Sequence, residues 1–349
     1  MKAIRVHEKG DPEVLTYEDA PDPTPGPDEV LIRVRAVGVN FADHLMRIGA
    51  YETDPPPFIP GLEAAGTIEA LGPGVGTQPH VGGADGAQLD FSGGVGAEPP
   101  PWGALTVGQP VIAWARRSYA QLAVAPAWAV RPSPEGLPFD QAAAIPVAFG
   151  TAWHALVSLA KLQPGERVLI HAVGSGVGSA ALLLAKQLGA WVVATAGQDW
   201  KLERARTMGA DAVVNYESED VAAEISRHTD GQGVHVALEG VGRATFPASV
   251  KSLASGGRLV IYGAPSGPRV ELDTRLAINR NLTLFGMSIT TSPLFPSTID
   301  RFARDGLRRL AAGQLNPIVD SVFPLKDAAA AHRRMMDRAQ FGKIVLWVD

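Results

Sequence analysis

The chain has 349 residues, with 36 acidic against 31 basic side chains and no cysteine. A net charge of −5 argues against a nucleic-acid partner, because phosphate backbones need a basic face. The missing thiols exclude disulfides, thiolate nucleophiles and sulfur-bound zinc. No stretch approaches the roughly 20 apolar residues that cross a bilayer, so no membrane contact is expected. The first residues lack the apolar core of a leader peptide, and a cytoplasmic location is expected.

In chain order, 3–6, 29–38 and 64–71 have β character and are separated by turn chemistry such as Ala20–Pro27. They predict an antiparallel, barrel-like unit. The stretch 76–103 is dense in Gly and Pro and lacks periodicity, which predicts a long surface loop; a lid offering Phe91 and Trp102 is the alternative. From Pro138 the pattern changes. A helical run over 139–162 is broken near Pro146. Strand and helix then alternate, with strands at 167–172, 191–196, 212–215, 234–238, 258–262 and 282–286. Such alternation predicts a parallel sheet with helices on both faces. The tail reads as a helix and one closing strand.

The stretch HAVGSGVGSAALLLAKQLGA, 171–190, follows the first of these strands and opens a helix. Glycines let the backbone approach a pyrophosphate, and the helix N-terminus offers free N–H groups and partial positive charge. The strict G-x-G-x-x-G spacing fails: Val173 and Ser175 precede Gly178, with glycines at 174 and 176 instead. Set within three strand–helix units, the loop still predicts a dinucleotide cradle. The next strand ends at Thr195, Ala196, Gly197 and Gln198, without the acid that binds a ribose 2′-hydroxyl. Asp199 lies just beyond. Lys201, Arg204 and Tyr216 can neutralise or hydrogen-bond a 2′-phosphate, or the two cations are solvated helix charges. NADPH is expected over NADH.

Motifs spread over nearly the whole chain carry a family resemblance. They include VGVNFADHLMRIGAY (37–51), PGLEAAGTIEALGPGV (60–75), AAIPVAFGTAWHAL (143–156), WKLERARTMGADAVVNY (200–216), GGRLVIYGAPSG (256–267), FPLKDAAAAH (323–332) and GKIVL (342–346). Together with the cradle they resemble the zinc-free quinone oxidoreductase, zeta-crystallin-like branch of the medium-chain dehydrogenase/reductase superfamily. That resemblance implies an α/β protein. A GroES-like β-barrel catalytic domain would take 1–126 plus a return at 293–349. A Rossmann doubly wound parallel-sheet domain would take 127–292. The segment 76–103 would be an insertion.

It also implies a site. The first Cys ligand of the zinc-dependent relatives falls at Asn40 and their His at Leu62, so no zinc is expected. Asn40, Asp43 and Tyr51 would line the catalytic cleft. Asn40 would bond the substrate or the nicotinamide ribose, or simply stabilise a turn. Asp43 would hold its loop, for instance by pairing with Arg47. Tyr51 would donate a proton or pack on the Pro55–Pro57 rim. His44 is a relay candidate or a hydrogen-bonded helix residue. Thr151, Ser175, Gly176, Val177, Gly178, Gly197, Lys201, Tyr216, Gly240, Gly263, Ala264 and Lys343 would bind cofactor, with Lys343 a plain surface lysine in the alternative. Glu239 would cap backbone. Met46, Trp114 and Phe149 would join Tyr51 in the substrate wall. The strand in NLTLFGMSI (281–289) would pair two copies into a homodimer. The implied reaction is NADPH-dependent reduction of a quinone. Alternatives are reduction of an enone or enoyl thioester with Tyr51 as proton donor, and a non-catalytic NADPH-binding role.

Overall fold

The computed structural model describes residues 1–51, 54–75, 103–289 and 291–349. All of the 76–103 stretch except Gly103, with Phe91 and Trp102, lies outside them. No helix among the described residues is long and apolar enough to cross a membrane.

Residues 29–38 place Val34 inward between outward Arg33 and Arg35, the pattern of a strand with one wet face. This strand is the axis of a seven-stranded sheet. It pairs antiparallel with 64–71 on one side, with 343–347 on the other, and with 122–126. Strands 110–113 and 130–132 extend the sheet beyond 64–71. The inward side chains of the sheet form a closed apolar core that includes Ile32, Ile68, Val111, Ala125 and Leu346.

The second sheet has six strands, all parallel, in the order 212–215, 191–196, 167–170, 234–239, 253–261, 283–286. Its central strands are continuous apolar runs such as Val168–Ile170, as expected where both faces are covered. The strand order reverses between 167–170 and 234–239, where ligands bind in such sheets. Among the described residues the strand 283–286 pairs on one side only.

Two differences from the sequence reading concern the tail. Besides the closing strand 343–347, a strand at 319–324 pairs parallel to it, with the helix 328–336 as crossover. The helical stretch 295–311 packs its Phe295, Ile299, Phe302, Leu307 and Leu310 into the core around helix 146–153.

Candidate active site

The strand 167–170 runs into Ala172, whose φ of 49° is in the left-handed region, and the chain turns onto the helix 176–187. Ser175 caps that helix, its Oγ accepting from the Gly178 amide at 2.9 Å. The first amides, of Gly176 and Val177, fall where a helix has no intrahelical partner for its N–H groups, and such amides suit an anion. A Cβ at Gly178 would fall 2.4 Å from the Ala172 carbonyl oxygen, so only glycine lets helix and strand approach this closely. The fit to a dinucleotide pyrophosphate is that of a cradle which side chains would fill.

The far end of the cradle is cationic. Lys201 is 8% exposed, not a solvated helix charge. Its stem crosses Gly174, and its ammonium donates to the Arg338 carbonyl at 2.6 Å. Burial lowers its pKa, with Asp320 opposing. Arg338 and Arg334, which lie close enough to act on it electrostatically, were not foreseen from sequence. Arg334 comes from the helix 328–336 and Arg338 from the turn that follows it, and only the fold brings them here. Arg204 stacks on Phe341 at 4.7 Å. The Tyr216 ring lies against Gly197, at the end of the second strand, as a Cβ there would meet Tyr216 Cε2 at 2.9 Å. Asp199 is turned to Asn215, accepting from its Nδ2 at 2.7 Å.

On the other side of the switch point, Gly240 is packed against the Tyr262 ring, and Gly263 against the Gly240 carbonyl. Glu239 holds this loop: its Oε1 accepts from the Val241 and Gly242 amides, both at 2.8 Å. Its carboxylate also accepts from Thr245 and Ser249. Ser249 meets His171 Nε2 at 3.0 Å, and His171 Nδ1 meets Thr195 at 2.9 Å. Burial drives the His171 pKa down to about 4, with Glu239 opposing.

The barrel supplies the floor. Residues 40–43 form a capping box at the start of helix 41–48, and the Asn40 amide donates to Asp43 Oδ2 at 2.8 Å. Asp43 accepts also from the Gly61 amide and from the Tyr119 hydroxyl at 3.1 Å. Burial pushes its pKa up to about 7, against these bonds and the nearby Lys343 ammonium. Tyr119 continues to His332 Nε2 at 3.2 Å. The expected Asp43–Arg47 pair is not formed. At the third helical position Asp43 bends back to the cap, whereas Arg47 reaches away to the Gly10 carbonyl and to His44 Nδ1. His44 is thereby tied into its own helix. Met46 lies in the barrel core and not on a cleft wall.

Lys343 is 4% exposed, not a surface lysine. Its ammonium sits 2.6 Å from Asn40 Oδ1 and 2.6 Å from Glu63 Oε1. Asn40 Nδ2 donates to Glu63 Oε1 at 2.8 Å and to the Gly38 carbonyl at 3.2 Å. Glu63 Oε2 accepts the Val147 amide at 2.7 Å and so ties the floor to helix 146–153, which carries the buried Thr151. The Lys343 stem passes Gly176, where a Cβ would lie 3.1 Å from its Cδ. Floor and cradle therefore meet at Lys343, and neither Glu63 nor this junction was among the residues expected from sequence to act. Tyr51 is 40% exposed, its hydroxyl 3.4 Å from Ser288 Oγ of the other domain. Trp114 and Phe149 are buried, and a Cβ at Gly150 would touch the Trp114 ring.

Residues 176–304 match the family described as zinc-binding dehydrogenase, and residues 26–84 match the alcohol dehydrogenase GroES-like domain. The chain is 32% identical to a 2-haloacrylate reductase of a Burkholderia species, over 99% of this chain and 98% of that protein. It is 30% identical to the quinone oxidoreductase of Rattus norvegicus, over 99% and 97%. The chain belongs to the medium-chain dehydrogenase/reductase superfamily, in its quinone oxidoreductase branch. The quinone oxidoreductase of Escherichia coli, solved with NADPH, superposes with a TM-score of 0.85 at 27% identity, covering 99% of this chain and 100% of that one. Like others of this superfamily the chain is an oxidoreductase built from a GroES-like and a Rossmann domain. The zinc of its dehydrogenases does not fit here. Asn and Leu occupy positions 40 and 62, and Glu63 is already bound to an ammonium. Among the described residues no group of three or more His, Asp or Glu is placed to hold a metal ion.

Proposed function

We propose that the protein is an NADPH-dependent reductase of quinones. One observation carries the reading: a glycine cradle at a helix N-terminus is joined, through Lys343, to a polar floor in the barrel. NADPH, when bound, supplies a hydride; the chain supplies the geometry and the charges. The amides of Gly176 and Val177, with Ser175 and Gly178 shaping the turn, hold the pyrophosphate. Gly197 and Tyr216 receive the adenosine ribose, and Lys201 with Arg334 and Arg338 attracts its 2′-phosphate. Gly240, Gly263 and Ala264, with the Tyr262 ring packed on Gly240, form the sheet edge along which the nicotinamide half would lie, its ribose meeting Thr151 and Asn40. Asn40 meets it as an acceptor, because both its N–H groups are spent on Glu63 and Gly38. Asp43 acts by fixing the Asn40 backbone. The exposed edge 283–286, beside Ile278 at 72% exposure, suits pairing of two copies into a homodimer.

The second reading is reduction of an enone or enoyl thioester, with Tyr51 protonating the product carbon or its enolate. It is favoured by the Tyr51 hydroxyl, which is exposed at the domain junction, 3.4 Å from Ser288 Oγ. The kinship to a reductase of a haloacrylate, an α,β-unsaturated acid, favours it as well. The test is oxidation of NADPH and NADH with 1,4-benzoquinone and with a simple enone, by wild type and Tyr51→Phe. The quinone reading expects NADPH-driven benzoquinone turnover that survives Tyr51→Phe. Enone turnover that Tyr51→Phe cuts by 10²-fold or more, the scale of general acid catalysis, supports the second reading. Preference for NADH removes the role given to Lys201.

A further inference from the structure

An acceptor that takes hydride develops negative charge on its carbonyl oxygen, and a cleft without a metal must meet that charge with a donor. Among the floor side chains Asn40, Glu63, Asp43 and Lys343, the hydrogen bonds leave one donor; Tyr51 stands at the exposed rim, not in the floor. Asn40 has no N–H left, because its two are used. Glu63 offers oxygens only, and those are bound by Lys343, Asn40 and the Val147 amide. Asp43 faces Asn40, Gly61 and Tyr119, with its oxygens accepting. Of these four floor side chains Lys343 keeps capacity: an ammonium has three N–H groups, one donates to Asn40, and a second at most serves the ion pair with Glu63.

We infer that the third N–H of Lys343, held over the floor by Asn40 and Glu63, is the catalytic donor that stabilises the oxyanion of the acceptor. This rests on the reductase reading and gives Lys343 a task different from anchoring the cofactor. In that step hydride from the dihydronicotinamide forms the new C–H bond, oxidising the cofactor. The acceptor's π pair moves to its carbonyl oxygen, and the oxyanion takes a proton from water. Lys343 remains an ammonium throughout. Its stem beside Gly176 places it where cradle and floor meet, the region an acceptor must enter to face the nicotinamide. Glu63 and Asn40 are positioning residues: they fix the ammonium, and Glu63 balances it between turnovers.

The experiment compares wild type, Lys343→Met and the double variant Lys343→Met/Glu63→Gln, the last leaving no unpaired buried charge. NADPH affinity is followed by titration, turnover with benzoquinone and an enone, and the ionisation of bound 4-nitrophenol by its phenolate absorbance. The phenolate places an oxyanion where the acceptor's would form and needs no turnover. The expected result is NADPH affinity within about threefold of wild type and kcat lower by roughly 100-fold, the effect of losing one oxyanion donor. The loss should be larger for the enone, whose enolate is the more basic oxyanion. The bound nitrophenol should ionise about one pH unit lower in wild type than in either variant, a tenfold preference for phenolate. Equal ionisation in all three proteins, or no binding of the phenolate by wild type, overturns the assignment. So does a kcat that holds while NADPH affinity falls. Wild type that turns over neither acceptor overturns the reductase reading, and the phenolate arm then still decides on Lys343.

Discussion

Two buried chains of carboxylate, hydroxyl and histidine run through this molecule, one in each domain, and they are built to different standards. In the nucleotide domain Glu239, Ser249, His171 and Thr195 are saturated: the carboxylate takes two amides and two hydroxyls, and both ring nitrogens of His171 are bonded. In the barrel Asp43, Tyr119 and His332 follow the same order but leave slack. Nδ1 of His332 has no partner, and Asp43, crowded by burial, is held near pH 7. Burial lowers both histidines, His332 to about 3 and His171 to about 4, so neither is a charge at neutral pH. The saturated chain ties down the loop that follows strand 234–239. The slack one lies under the cleft floor, where a change of charge is felt by Asn40 and Lys343.

The contrast breaks most visibly at Glu239. Glu239→Ala strands two amides and two hydroxyls, and should cost about 3–5 kcal/mol in denaturant titration. NADPH affinity should fall with it. A loss below about 1 kcal/mol removes the claim that the network is a lock.

Asp43→Asn sharpens the comparison through pH. The folded-state pKa of Asp43 is raised to about 7, above the ordinary unfolded value of about 3.9. The folded protein therefore binds the proton more tightly, and this group's contribution to stability is full below about pH 4. It is lost as pH rises toward 7 and is constant above. The asparagine variant should lack that downward slope in melting curves taken between pH 4 and 8. An unchanged slope assigns it to other groups.

The smallest effect is expected at Tyr119→Phe. It removes one donor from Asp43 and one partner from His332, and should cost about 1–2 kcal/mol while moving the Asp43 transition upward in pH. A downward shift would contradict the bond's direction.

How much was legible in the sequence follows the range of the interactions. The cradle was readable because Ala172, Ser175 and Gly178 act within one turn, and turn chemistry is local. The parallel sheet was readable from the alternation of strands and helices. The strand 319–324 was not, because Asp320 and Ser321 interrupt the apolar run that marks the other parallel strands. Arg47, the example of a cation that could hold Asp43, lies one helical turn on, but the capping box competed for the same carboxylate and won. Lys343 was noticed as a cofactor contact; its partner Glu63 was not, since nothing short of the fold places 343 against 40 and 63.

The bond from Lys343 to Asn40 joins residues 303 positions apart. The cradle from 171 to 178 and the loops at 216, 240 and 263 lie within one third of that span. Contacts so distant in sequence close late, because the chain must first give up the entropy of the intervening loop. A refolding population should therefore pass through molecules whose strands between 167 and 261 are already paired while the bonds from the C-terminal segment, Lys201 to Arg338 and Lys343 to Asn40, are still open. Cofactor retention and turnover should both appear only when those bonds close.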